Sequence, residues 1–90
     1  MAEKIQTVFI KVNKNLEMIE RILTAALDAG FAINGQETME EYIRSCGQKM
    51  LYLSFDWEGP YINFNQFELN GDEKVLKEEE LLKWLSAVLK

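Results

Sequence analysis

The spacing of apolar residues changes along this 90-residue chain, and the change limits what the chain can fold into. Residues 5–12 are rich in β-branched side chains and apolar on both faces, which predicts a strand covered on both sides. Residues 14–29 and 78–89 repeat apolar side chains at helical spacing, so each predicts a long helix. Asn13 is expected to cap the first of these helices, and Gly30 to end it.

The second half of the chain contains the clearest hairpin pattern. Residues 49–56 and 61–69 alternate between apolar and polar side chains on either side of a turn at 57–60. Alternation of this kind is typical of strands with one buried face. We therefore expect two adjacent antiparallel strands here.

Three shorter segments complete the predicted secondary structure. Residues 31–33 predict a short strand, followed by a tight turn at Asn34 and Gly35. Thr38 and Glu41 have the spacing of a capping box, which predicts the start of a short helix. Lys74 to Leu76 either return as a third antiparallel strand or already belong to the last helix, and the pattern leaves both open.

These segments predict one α+β domain covering residues 1–90. The expected architecture is a small, mainly antiparallel sheet of three to five strands, packed by two main helices plus one short helix. Residues 5–12 would form a central or near-central strand, because both of its faces are apolar. The predicted core consists of Val8, Ile10, Leu23, Leu27, Leu53, Phe55, Ile62, Phe64, Leu81 and Leu85.

The sequence offers little material for catalysis. It has no histidine, and its five glycines are scattered singly rather than gathered in a phosphate-binding loop. Cys46 lies on the predicted inner face of the short helix and is interpreted as a structural thiol. Asp56 and Glu58 flank the hairpin turn, where paired carboxylates are better explained as turn residues than as acid catalysts. We predict no catalytic, cofactor or metal site, and hence no enzyme.

A single cysteine allows no internal disulfide, which is expected of a protein in a reducing compartment. The N-terminal residues lack the pattern of a signal peptide, and the longest apolar stretches are too short to span a membrane. The expected location is therefore the cytoplasm.

Acidic residues outnumber basic ones, fifteen to ten, and the excess is uneven. Residues 56–80 hold eight acidic and two basic side chains, a net charge of −6. Such a field repels phosphate backbones and anionic membranes, so direct contact with nucleic acid or membrane is not expected. Two interpretations stay open: an ordinary solvated face, or a surface that presents carboxylates to a basic protein.

Aromatic residues cluster around the predicted hairpin. Tyr52, Trp57 and Tyr61 are core residues if helices cover both sheet faces, and a protein-contact patch if they do not. Combined with the acidic residues nearby, the second interpretation gives a set of candidate partner-binding residues. They are Tyr52, Asp56, Trp57, Glu58, Tyr61, Glu68, Asp72 and Glu73.

In overall character the chain resembles the small acidic α+β inhibitors encoded by phages and mobile elements, including anti-CRISPR and other anti-defence proteins. The likeness is carried by a compact start, TVFIKVNKNLEMIERILTAALDAGF, and an acidic end, FELNGDEKVLKEEELLKW. It implies a protein that binds and blocks a larger nucleic-acid-handling protein in the cytoplasm of a host cell and performs no chemistry itself. The likeness includes no defining motif, so it assigns no site residue.

The alternative function is self-association. The C-terminal helix is expected to carry an apolar stripe broader than one sheet needs, and exposed apolar area of that kind marks interfaces. A self-associating accessory domain, such as a homodimer, would use this stripe. Its members are Leu81, Leu82, Trp84, Leu85, Val88 and Leu89.

Overall fold

The structure is a computed structural model that describes residues 7–33, 38–56, 60–71 and 73–88. The described residues form five strands and three helices, which confirms the predicted α+β class. In chain order the elements are β1 (Thr7–Lys11), α1 (Leu16–Asp28), β2 (Ala32–Ile33), α2 (Met39–Cys46), β3 (Tyr52–Asp56), β4 (Tyr61–Asn65), β5 (Lys74–Leu76) and α3 (Glu78–Val88). A 3-10 turn, Gly47–Lys49, follows α2.

The strands form one sheet in the order β2-β4-β3-β1-β5. The predicted hairpin is confirmed, since β3 pairs antiparallel with β4, and β3 also pairs antiparallel with β1. The outer pairs, β1 with β5 and β2 with β4, are parallel. The sheet is therefore mixed, and the prediction of a mainly antiparallel sheet was wrong. Lys74 to Leu76, for which the sequence pattern allows a strand or a helix, form a strand, but one parallel to β1.

The helices cover one face of the sheet. Side chains from all three helices join a single core with alternate residues of the strands, such as Val8 and Ile10 of β1 and Leu53 and Phe55 of β3. β1 is internal to the sheet, as expected, but it is not covered equally on both sides. Phe9 on its other face is only half-buried. The apolar character of β1 thus correctly predicted its internal position in the sheet, but not the partial exposure of its second face.

Most of the predicted core is confirmed. Eight of the ten residues are buried, and Phe64 packs against them half-buried. The tenth, Leu27, is 36% exposed, so its assignment was wrong. Ile22, which the prediction omitted, is fully buried instead. The apolar stripe of α1 is centred on Ile22 and Leu23, which places Leu27 at its edge.

Helix α1 begins two residues later than its predicted start. Asn15, rather than Asn13, is the N-cap, and its Oδ1 accepts a hydrogen bond from the Met18 amide at 3.1 Å. Asn13 and Lys14 have φ angles of +49° and +62°, and the Asn15 amide donates to the Val12 carbonyl at 2.9 Å. Two successive positive φ angles closed by such a bond define a type I′ turn. This turn occupies the residues where the helix was expected to begin.

The other predicted helix signals are confirmed. Gly30, with φ +102°, follows the end of α1, and Phe31 folds back so that its amide donates to the Ala26 carbonyl. Thr38 and Glu41 form the expected capping box at the start of α2. The predicted turn at Asn34 and Gly35 lies outside the described residues.

Two crossovers connect parallel strands on opposite faces of the sheet. From β1 the chain passes through α1, on the helix-covered face, to β2 at one edge of the sheet. From β4 it passes to β5 at the other edge, and on this path Glu68 contacts Tyr52, whose side chain points away from the core. The two crossovers run in opposite directions across the sheet and lie on opposite faces of it. They therefore have the same hand, as the handedness rule for parallel strands requires. The second crossover therefore places a loop, not a helix, on the other face.

Candidate protein-binding face

The sheet face opposite the helices is the candidate functional site, and we call it the helix-free face. Strand register aligns its side chains in rows, with Asp56 beside Tyr61 and Thr7, and Tyr52 beside Lys11. By the alternation of side chains, its members are Thr7, Phe9, Lys11, Ala32, Tyr52, Ser54, Asp56, Tyr61, Asn63, Asn65 and Val75.

Residues 66–71, the crossing segment, are held on this face by one cluster of side chains. The Tyr52 hydroxyl donates a hydrogen bond to Glu68 Oε1 at 3.0 Å. Lys11 Nζ lies 3.6 Å from Glu68 Oε2 and 5.8 Å from the centre of the Tyr52 ring. Glu68 thus connects the crossing segment to two neighbouring strands. As a result Tyr52 is only 7% exposed, although its side chain lies on the helix-free face.

The electrostatics of the cluster follow from its carboxylates. The hydrogen bond to Glu68 is the main cause that raises the pKa of Tyr52 above its ordinary value, with burial and the charges of Glu68 and Glu73 adding to the effect. A phenol that donates to a carboxylate resists deprotonation, because the phenolate would face a like charge.

The structure brings together the described members of the predicted partner-binding set. Tyr61 is 51% exposed, beside the half-buried Asp56. Glu68 and Glu73 belong to the crossover that spans the same face, and Glu73 Oε1 accepts a hydrogen bond from the Gly71 amide at 3.2 Å. Of the two interpretations of Tyr52, burial is the one that agrees with the structure, although a loop and not a helix covers it. Trp57, Glu58 and Asp72 lie outside the described residues.

Sequence reasoning missed two apolar residues on this side of the molecule. Phe67 in the crossing segment is 72% exposed, and Val75 of β5 is also exposed. The predicted strand 61–69 included Phe67, but β4 ends at Asn65. No glycine or proline marks that end, so the sequence carried no signal that Phe67 leaves the sheet.

A shallow groove of about 640 Å³ separates α1 from α3 on the opposite side of the molecule. The Arg21 guanidinium crosses it and donates to both carboxylate oxygens of Glu78, at 2.9 and 3.2 Å. This pairing lowers the pKa of Glu78 and raises that of Arg21. The remaining lining residues are Glu17, Glu20, Thr24, Ala25 and Leu82.

Acidic residues also gather on the helices. Within their described bounds the three helices carry eight acidic side chains against three basic ones, a net charge of −5. The acidic excess of the chain is therefore not confined to the helix-free face. A test of that face must compare it with carboxylates on the helices.

Most described side chains of the C-terminal apolar stripe pack in or against the core. Leu81 and Leu85 are buried, and Trp84 packs half-buried with its ring 5.9 Å from that of Phe31. Leu82 is 40% exposed and lines the groove between α1 and α3. The Val88 side chain and Leu89 lie outside the described residues.

Three further features considered in the sequence are the thiol of Cys46, a metal site and a membrane-spanning segment. Cys46 is half-buried beside the core, with its sulfur 3.7 Å from the Ser45 hydroxyl oxygen. In the part of the chain that the structure describes, no three His, Cys, Asp or Glu side chains are grouped to hold a metal ion. Among the same residues, no helix is both long and apolar enough to cross a membrane.

Comparison with protein-family models, curated proteins and solved structures finds no match for this chain. The fold and the candidate face define a small α+β protein with one sheet face covered by helices and the other crossed by a loop. A functional assignment therefore depends on the chemistry of the chain's own residues.

Proposed function

We propose that this protein is a non-enzymatic protein-binding module that inhibits a larger nucleic-acid-handling protein. The helix-free face is the docking surface, and its partner offers a basic surface. One observation carries the proposal: five residues singled out in the sequence for partner binding lie on this face or on the crossover that spans it. They are Tyr52, Asp56, Tyr61, Glu68 and Glu73.

The composition of the face suits protein recognition. Tyr61, Phe67 and Val75 are exposed apolar or aromatic side chains on the same side of the molecule. Aromatic residues contribute most to protein interfaces when polar groups surround them. Here the surrounding groups include the Asp56 and Glu73 carboxylates, so the face combines apolar contact area with negative charge.

Charge complementarity supports a basic partner. Lys11 is the cation that the helix-free face contributes from its described residues, and it is already paired with Glu68. Asp56 and Glu73 add two further carboxylates to this side of the molecule. A surface of this kind attracts the Lys and Arg side chains that line phosphate-binding grooves. By occupying such a groove the module would exclude nucleic acid, which is the inhibitory mechanism we propose.

Two matched charge reversals test the proposal. One variant carries Asp56→Lys and Glu73→Lys on the helix-free face, and the control carries Glu40→Lys and Glu79→Lys on α2 and α3. Both change the net charge equally, and thermal unfolding checks that both still fold. The variants are used as bait in extracts of the cells that produce the protein or of the bacteria that a phage encoding it infects.

We expect the wild type and the control to retain a nucleic-acid-binding protein that the helix-free-face variant loses. Binding should weaken with added salt, and an oligonucleotide bound to the partner should compete with capture. Equal loss in both variants would show that the helix-free face is not the docking surface. Capture that is indifferent to salt and to the oligonucleotide would contradict the proposed occupation of a basic groove.

Self-association is the second candidate, and the exposure of Leu82 favours it. A second copy could cover this side chain, which is exposed at the groove between α1 and α3. Light scattering across a concentration series tests it. A dimer that Leu82→Ser converts to a monomer would support self-association, whereas a wild type that stays monomeric would exclude it.

A further inference from the structure

The crossing segment presents an aromatic side chain to solvent. Phe67 is the most exposed of the large apolar residues that the structure describes, at 72%. An exposed phenylalanine ring forgoes the favourable free energy of burial, which folding has not recovered here. A partner that covers this ring can recover it.

The residue next to Phe67 holds the segment in place. Both carboxylate oxygens of Glu68 have partners on neighbouring strands, Oε1 in the Tyr52 hydroxyl and Oε2 in the Lys11 ammonium group, although the Glu68 side chain itself is exposed. The sequence pattern placed Glu68 among the residues that contact the partner. The structure instead pairs its carboxylate with two residues of the sheet, and these contacts tie the segment that carries Phe67 to the helix-free face.

We propose that the crossing segment is a preformed recognition loop, in which Phe67 is the anchor that enters the partner and Glu68 is a positioning residue. This inference rests on the proposed function and identifies the part of the face that contributes most to affinity. A loop already held in its bound shape loses less conformational entropy on binding, and a central aromatic side chain is the usual hot spot of an interface.

The charges around the loop define the partner's chemistry. The ring of Phe67 requires an apolar pocket, and Glu73 at the far end of the crossover favours Lys or Arg at the pocket rim. A second copy of this chain is a poor occupant of this face, because its own helix-free face presents the same carboxylates. An anionic membrane is repelled for the same reason. The occupant is a protein with an apolar pocket and a cationic rim.

Site-specific photocrosslinking tests the anchor and identifies the partner in one experiment. p-Benzoylphenylalanine is placed at position 67, at position 61 on the same side of the molecule, and at position 27 as an exposed control on α1. The three proteins are produced and irradiated in the cells where the protein acts. Mass spectrometry then identifies the crosslinked partner peptide.

We expect crosslinks from positions 67 and 61 to one protein, and none to that protein from position 27. The partner peptide at position 67 should contain apolar residues next to Lys or Arg, and Phe67→Ala should weaken binding of the identified partner at least tenfold. Crosslinks from position 61 alone would overturn this inference and leave the proposed function standing. Crosslinks from position 27 alone, or from none of the three positions, would overturn both.

The positioning role of Glu68 needs a readout of its own. Glu68→Gln should lower the pKa of Tyr52 toward its ordinary value, measured by NMR of tyrosine ring carbons, and should accelerate chymotrypsin cleavage after Phe67. Crosslinking from position 67 should fall in parallel. Glu40→Gln, on α2, is the control and should leave cleavage unchanged. If crosslinking falls while cleavage stays slow, Glu68 contacts the partner itself and its positioning role is wrong.

Discussion

The two faces of the sheet are covered by different elements, one by helices and the other by a loop. On one face, three helices bury alternate strand residues such as Val8, Leu53 and Phe55 almost completely. On the other face, a loop crosses the strands, Tyr52 is buried under Glu68, and Tyr61 stays half exposed. The helix-covered face therefore supplies most of the apolar burial that stabilises the fold. The helix-free face leaves more apolar side-chain area exposed, at Tyr61 and Val75.

The largest effect should come from the helix-covered face, and one pair of leucines in α1 tests it. Leu23 is fully buried, whereas Leu27, one turn later, is 36% exposed. We expect Leu23→Ala to lower the free energy of unfolding by about 2 to 5 kcal/mol, because it leaves a cavity. Leu27→Ala should cost less than about 1 kcal/mol, because the lost contact area is partly solvated already. Urea denaturation of both variants measures the difference.

Equal losses in the free energy of unfolding for Leu23→Ala and Leu27→Ala would contradict the placement of the apolar stripe of α1.

The same two leucines show how far the sequence predicts this fold. Helical spacing correctly identified the inner face through Ile19, Leu23 and Ala26. It could not set the width of the buried stripe, because that depends on how closely α2 and α3 approach α1.

The candidate site was less predictable than the core. Hairpin alternation correctly placed Asp56 and Tyr61 together, because strand pairing is set by local register. The burial of Tyr52 and the exposure of Phe67 depend on the path of the crossing segment. That path follows from the parallel pairing of β5 with β1, a contact between distant parts of the chain that no local pattern encodes.

The next effect concerns the turn where the chain leaves the sheet for the helix-covered side. Lys14 has φ +62°, a conformation that costs a residue with a Cβ roughly 1 to 2 kcal/mol. Lys14→Gly removes that cost but adds about 0.5 to 1 kcal/mol of chain entropy to the unfolded state. We expect a net stabilisation of up to about 1 kcal/mol, measured by urea denaturation. Lys14→Ala is the control and should give no such gain; stabilisation by alanine would mean that the side chain, not the backbone, is unfavourable.

A smaller effect on stability is expected from the helix-free face at alkaline pH. The pKa of Tyr52 is raised in the folded protein, so the stability linked to its proton is present below the ordinary tyrosine pKa, about 10. It is lost as the pH rises through the raised value. Unfolding midpoints should therefore fall more steeply above about pH 10 in the wild type than in Tyr52→Phe or Glu68→Gln. Glu79→Gln, on α3, is the control and should behave as the wild type; a shallower slope in that variant would show that the effect does not come from the contact between Tyr52 and Glu68.

The smallest effect belongs to the outer surface of the helix-covered side, at the ion pair of Arg21 and Glu78. Arg21 holds the pKa of Glu78 below its ordinary value, so the stability contributed by this carboxylate is present above about pH 4.5 and is lost as the pH falls through the lowered value. Glu78→Gln should lower the unfolding midpoint slightly at neutral pH and low salt, and the difference from the wild type should vanish in strong acid or high salt. Glu79→Gln, the neighbouring control, should show less pH dependence. If the two variants respond alike, the pairing between α1 and α3 is not maintained in solution, and the stability of this side comes from its apolar core alone.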